Sequence, residues 1–230
     1  GKDGSVTIPT KQVTSVPNNI IYGTAALQMP NGNIFYIINS FQMQPQTSAF
    51  FIVLLLDSTG NVIKNQFYLE SPDPTTSTAS ATNDQFIDIK LTADGKAIMS
   101  YLKSDSTGQS SNMRYLYFNS TGDMEKDGLL FGSAITGMIR SIKIICFTSG
   151  SCYVSWIVSA TSTHKLQILD SSGSLSGSEI TLISNGVMIN LDSYNSLLGF
   201  SDGTYMLILS STAAGSTYVQ LQQFSTANVK

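Results

Sequence analysis

Asn119-Ser120-Thr121-Gly122, at the end of the apolar run Tyr115-Leu116-Tyr117-Phe118, is the stretch from which the fold is read. A short polar residue followed by a glycine is a tight-turn signal: the side chain bonds nearby backbone, and glycine enters the left-handed region without a steric penalty. The same signal closes two other apolar segments, Asp57-Ser58-Thr59-Gly60 and Asp170-Ser171-Ser172-Gly173, at glycine spacings of 62 and 51 residues. A second ladder, Asn31-Gly32, Asp94-Gly95, Ser149-Gly150 and Asp202-Gly203, alternates with the first at spacings of 63, 55 and 53 residues. Both ladders are stretched in their first interval, and the Pro/Ser/Thr-rich segment 71–84 accounts for the excess as an inserted loop.

Each unit therefore reads strand, tight turn, strand, polar loop, strand, tight turn, strand. The units span residues 20–70, 85–131, 139–183 and 194–225, and the last lacks its fourth strand. No 3.6-residue amphipathic period is sustained, whereas second strands such as Tyr153-Val154-Ser155-Trp156-Ile157-Val158 are apolar on both faces, as a sheet packed between two others requires. The expectation is an all-β, single-domain β-propeller of four four-stranded antiparallel blades. Gly4-Ser5-Val6-Thr7-Ile8 matches Gly60-Asn61-Val62-Ile63-Lys64 in register, so residues 4–9 are expected to complete the last blade and cover its open edge. Three arrangements satisfy this: closure of the chain's own ring, donation of the strand to a neighbouring copy, or membership of a longer array.

Ile89-Lys90-Leu91-Thr92-Ala93-Asp94-Gly95-Lys96-Ala97-Ile98, with Tyr115-Leu116-Tyr117-Phe118-Asn119-Ser120-Thr121-Gly122-Asp123, resembles the delta-60 and related bacterial-type secreted β-propeller repeats. The resemblance covers nearly the whole chain but rests on turn residues and strand spacing. It implies a scaffold or adhesion module of large secreted or surface proteins, and it brings no catalytic residue with it.

Composition narrows the function. The 230 residues carry 12 Lys+Arg against 15 Asp+Glu, a net charge of −3, and the arginines are Arg114 and Arg140, so no cationic track exists for nucleic acid. The longest apolar run, Ala49 to Leu56, is far short of the roughly 20 residues of a membrane-crossing helix. Cys146 and Cys152 flank a predicted three-residue hairpin loop that sets them opposite each other, so a disulfide and an oxidising, extracellular or cell-surface location are expected. Asn119 heads an N-glycosylation acceptor, and Thr75, Thr76, Ser77, Thr78, Ser80 and Thr82 form a hydroxyl-rich loop open to O-linked sugars.

Catalysis is argued against. Two arginines on different units are too few to grip a sugar carboxylate, the aspartates sit mostly in turns, and His164, the one histidine, has no nucleophile elbow beside it. No metal or cofactor motif is present in the sequence. The expectation is a non-enzymatic extracellular structural or interaction module that self-associates by strand donation or blade-edge contact, as the subunit of a filament or adhesive assembly. The alternative is a carbohydrate-binding, lectin-like propeller, with Trp156, Tyr101 and Tyr205 as candidate sugar contacts; packing between blades competes for the same three side chains.

Overall fold

A computed structural model of the chain describes residues 19–42, 48–70, 88–104, 110–130, 135–136, 139–158, 161, 163–183, 188–189, 196–200, 202–213 and 216–225. These build four antiparallel sheets in chain order, here called blades 1 to 4. Blade 1 holds β1 (Asn19–Gln28), β2 (Ile34–Gln42), β3 (Ser48–Leu56) and β4 (Val62–Glu70). Blade 2 holds β5 (Asp88–Leu91), β6 (Ala97–Ser104), β7 (Ser110–Phe118) and β8 (Met124–Leu129), with the short β9 (Ile135–Thr136) pairing the start of β7 where β8 has ended. Blade 3 holds β10 (Ile139–Cys146), β11 (Cys152–Val158), β12 (Thr163–Leu169) and β13 (Leu175–Ile183). Blade 4 holds β14 (Met188–Ile189), β15 (Ser196–Gly199), β16 (Tyr205–Ala213) and β17 (Ser216–Phe224). Because β14 and β15 both pair with β16, on the side away from β17, they are two pieces of one interrupted first strand, and among the described residues this blade is three strands wide. The expected completing strand, residues 4–9, lies outside the described residues.

The turns hold the register. In the outer turns, between third and fourth strands, the residue three before the glycine accepts three hydrogen bonds. Asp57 Oδ1 takes Thr59 N at 2.8 Å, Thr59 Oγ1 at 2.7 Å and Asn61 N at 2.9 Å. Asn119 and Asp170 repeat the arrangement with Thr121/Asp123 and Ser172/Ser174. In the inner turns, between first and second strands, the acceptor moves next to the glycine, as when Asp202 Oδ1 takes Thr204 N and Oγ1. Gly60, at φ +81°, occupies the backbone region where a side chain would clash with its own carbonyl.

Counting from the inner-turn glycine gives each second-strand residue a direction. Positions two, four and six later face the preceding blade: Ala97, Met99 and Tyr101 in blade 2, Cys152, Val154 and Trp156 in blade 3, each at most 1% exposed. The intervening positions face the following blade. Phe35, Ile37, Val53 and Leu55 of blade 1 thus pack on Met99, Tyr101, Leu116 and Phe118 of blade 2. Tyr115 and Tyr117 of blade 2 pack on Val154 and Trp156 of blade 3. Ile145, Phe147 and Tyr153 of blade 3 pack on Tyr205 of blade 4. Burial of such side chains stabilises by roughly 2–3 kcal/mol each, and this apolar filling between sheets is the core. The first strands approach one another in sequence, β1 to β5, β5 to β10 and β10 to β15, and so line the axis.

Candidate functional site

The antiparallel order sorts the molecule into two ends. Among the described residues, the seven tight turns with glycines from Gly32 to Gly203 lie at one end of the sheets. A site that draws on every blade must lie on the axis, where the first strands meet, because that is the place all four sheets reach.

On those first strands, among the described residues, the one carboxylate is Asp88, at the start of β5. Its side chain is 14% exposed, with Lys90 Nζ at 3.8 Å. Oδ1 accepts Ile89 N at 3.0 Å and Oδ2 accepts Ile144 N, on β10 of the next blade, at 2.6 Å. Asp88 therefore ties two first strands together and places a carboxylate beside the axis. The sequence reading missed it, although the signal was there: an acidic residue directly before the apolar alternation of an inner strand, rather than inside a turn.

The other aspartates described have different work. The Thr59 hydroxyl, then the Asn61 side chain and backbone, hold Asp57 far below the usual carboxylate range, and the Ser172 and Thr204 hydroxyls lower Asp170 and Asp202. Lys64 of blade 1 lowers Asp123 of blade 2 through a direct ion pair. A carboxylate kept ionised by its own turn is a poor proton donor, so these groups do not suit the general-acid role. Two shallow clefts open between blades 2 and 3 at the turn end. One, of ≈ 140 Å³, is edged by Asp94, Lys96, Glu125 and Lys126, with Lys96 bridging Asp94 at 3.3 Å and Glu125 at 2.9 Å. The other, of ≈ 340 Å³, is edged by Leu91, Thr92, Phe147 and Thr148. Among the described residues no three His, Cys, Asp or Glu side chains gather as a metal site.

Cys146 and Cys152 are bonded and are directly opposed in the β10–β11 ladder, with Gly150 at φ +91° turning the loop between them. Asn119 is half-buried, and its carbonyl oxygen serves the turn in the way Asp57 and Asp170 do. Thr75, Thr76, Ser77, Thr78, Ser80 and Thr82 lie outside the described residues. Trp156, Tyr101 and Tyr205 are 0%, 1% and 0% exposed, so each ring is spent on packing between blades. His164 is buried in β12, and burial pushes its imidazole down to about 4. No described helix is long and apolar enough to cross a membrane.

No protein-family model and no curated protein matches the chain. Solved structures do. An α-L-arabinanase from Penicillium chrysogenum, complexed with arabinobiose, aligns at TM-score 0.58 and 11% identity over 90% of this chain and 64% of its own. A protein of unknown function from Dyadobacter fermentans aligns at 0.58 and 10%, over 86% and 51%. An α-L-arabinofuranosidase from Fusarium graminearum, with an iminosugar inhibitor, aligns at 0.56 and 9%, over 88% and 62%. The chain thus spans less than two thirds of the length of each, and the shared feature is the β-propeller fold. The expectation of a non-enzymatic structural module is overturned by these neighbours, two of which are sugar-cleaving enzymes. Scarce arginines, aspartates in turns and a histidine without an elbow leave untouched an acidic residue outside the turns, such as Asp88. A propeller's stacked sheets leave the chemistry to single residues on different blades, which need not share a motif.

Proposed function

We propose that the chain belongs to a carbohydrate-active propeller that engages arabinose-containing glycans and hydrolyses their glycosidic bonds. The observation that carries the reading is the alignment of nine-tenths of the chain with an arabinanase that holds arabinobiose. Support from the chain itself is Asp88, a carboxylate beside the axis on a first strand that also braces the neighbouring blade. Glycosidases of the two-carboxylate kind need an acid and a base or nucleophile across the scissile bond. Asp88 is the candidate for one of them, and its partner is sought among Asp84, Asp105 and Asp192, which fall outside the described residues.

The Cys146–Cys152 disulfide supports an oxidising, extracellular setting, where plant or microbial polysaccharide is met. Kinship with delta-60-like repeats, and pairing of residues 4–9 with the edge of β17 in the same or a neighbouring chain, are further parts of this proposal. The test is reducing-sugar release from linear arabinan and from an aryl α-L-arabinofuranoside. Activity that falls at least about a hundredfold in Asp88→Asn, measured well below the melting temperature of the variant, supports the reading. Binding of arabinobiose without any turnover would favour the lectin-like alternative, and neither binding nor turnover would remove the carbohydrate reading.

A further inference from the structure

The inner-turn glycines number the four first strands alike. Three and five residues before them, Met29 and Leu27 of blade 1 and Phe147 and Ile145 of blade 3 pack toward the following blade. Seven residues before them the character of the same row changes. The residues there are Ala25, Asp88, Lys143 and Ser196, one per blade, at the end of the axis away from the tight turns. Each is directly opposed by the second-strand residue five after the glycine. That residue is Ile37 across from Ala25 and Ile208 across from Ser196, but it is a serine across from the two charged groups, Ser100 from Asp88 and Ser155 from Lys143. Opposed side chains in an antiparallel ladder have Cβ atoms about 4.5–5.5 Å apart, close enough to hydrogen-bond. Yet Ser100 and Ser155 are 0% and 1% exposed and their hydroxyls are unpartnered. Both charged side chains therefore turn away from the serine across the ladder.

For Asp88 the destination is visible: Oδ2 accepts the N–H of the amide that joins Lys143 to Ile144. The carboxylate thus lies against the backbone of Lys143 itself, and that half-buried lysine carries its ammonium from the same stretch of β10. We propose that Lys143 is a substrate-binding residue of the axial site, donating to the hydroxyl oxygens of the sugar ring whose neighbouring hydroxyl donates to Asp88, an assignment that rests on the arabinose-glycan reading and deepens it. A hydroxyl both donates and accepts, so an acceptor-only carboxylate and a donor-only ammonium use both halves of a vicinal pair. An anionic ligand would meet Asp88 and a metal ion would meet Lys143, so the two together suit a neutral polyhydroxylated ring. The part of Lys143 is to hold that ring, and its loss is felt in binding rather than in the chemical step. Ser100 and Ser155 stand behind the charged groups and touch no ligand.

The test compares Lys143→Gln, Lys143→Met, Lys143→Arg and Ser155→Ala with the wild type in the full-length protein, by calorimetric titration of arabinobiose and by kinetics on an aryl α-L-arabinofuranoside. Both neutral variants are expected to raise Kd and KM about tenfold or more, as the loss of a charge-assisted hydrogen bond does, with kcat within about threefold of the wild type. Lys143→Met keeps the apolar stem, so agreement between it and Lys143→Gln separates lost binding from lost packing. Lys143→Arg keeps charge and donors and should recover most of the affinity. Ser155→Ala should bind as the wild type does, because the ammonium is turned from that hydroxyl. A wild-type Kd in either neutral variant overturns the assignment and leaves the arabinose-glycan reading standing. So does a kcat about a hundredfold lower at unchanged KM, or an equal loss of affinity in Ser155→Ala. A folded wild type that neither binds nor cleaves the sugars overturns the reading and the assignment together.

Discussion

The contact between blades 2 and 3 and the contact between blades 3 and 4 are built on one plan with different chemistry. The first buries Trp156 and Tyr117, and the Tyr115 hydroxyl donates to the Gly173 carbonyl across the blades at 3.1 Å. The Tyr115 ring also fills the space above Gly128, where a Cβ would sit 2.4 Å from it. The second stacks Phe147 on Tyr153 at 4.8 Å and Tyr153 on Tyr205 at 5.2 Å, edge to face. On that same face, however, His164 lies beside Leu166 and Ser155 beside Tyr153. Among the described residues neither imidazole nitrogen nor the serine hydroxyl has a hydrogen-bond partner, and in the first contact the hydroxyls of Ser100 and Tyr117 are in the same state. A buried polar group left unpaired costs about 1–3 kcal/mol. Unpartnered hydroxyls are thus common to both contacts, and what sets the second apart is a buried imidazole where the first packs Trp156 and Tyr117.

The largest expected effect is at the contact between blades 2 and 3, where the largest side chain is buried. Trp156→Ala should cost about 3–5 kcal/mol, read as a shift of the urea midpoint. Tyr205→Ala should cost less, and equal losses would erase the distinction between the two contacts. Next comes acid. Burial lowers His164 from 6.5 to about 4, so the unfolded chain binds a proton that the folded chain refuses between those values. Stability contributed by neutral His164 is full above pH 6.5 and is lost as pH falls toward 4, by at most ~3 kcal/mol. His164→Leu should flatten melting temperature against pH in that window, and a wild-type curve already flat there would count against the burial argument.

Smaller effects follow. Reducing the Cys146–Cys152 bond should cost about 2 kcal/mol, because the loop it closes is short. The loss should appear in β10 and β11 by hydrogen exchange before it reaches blade 1. Gly60→Ala should cost about 1 kcal/mol for the left-handed backbone alone, since nothing lies within 4 Å of its Cβ position. Gly173→Ala adds a Tyr117 ring atom at 2.8 Å to the same strain and should cost more, which compares a turn facing solvent with one pressed against the preceding blade.

Much of the fold was legible because tight turns write themselves locally. Asp57, Asn119 and Asp170 each need a hydroxyl two residues on and a glycine three residues on, so the ladder appears in the letters. The Cys146–Cys152 pairing followed from the same hairpin arithmetic. The split of the fourth blade's first strand into β14 and β15, and the addition of β9 to β7, carry no turn signature and depend on tertiary pairing. The site was harder still. Trp156 and Tyr101 suggest a sugar platform by residue type, yet both stand six residues after a turn glycine, a position that faces the preceding blade. Asp88 gains meaning only from Ile144, 56 residues away, and sequence gives no hint of that partner.

The most direct test of the carbohydrate-active propeller is calorimetric titration of arabinobiose into the purified full-length protein, wild type beside Asp88→Asn. The account predicts saturable one-site heat for the wild type, with a Kd between about 1 μM and 1 mM, and a weakened isotherm for the variant. A flat wild-type titration, with the protein shown to be folded, would contradict it.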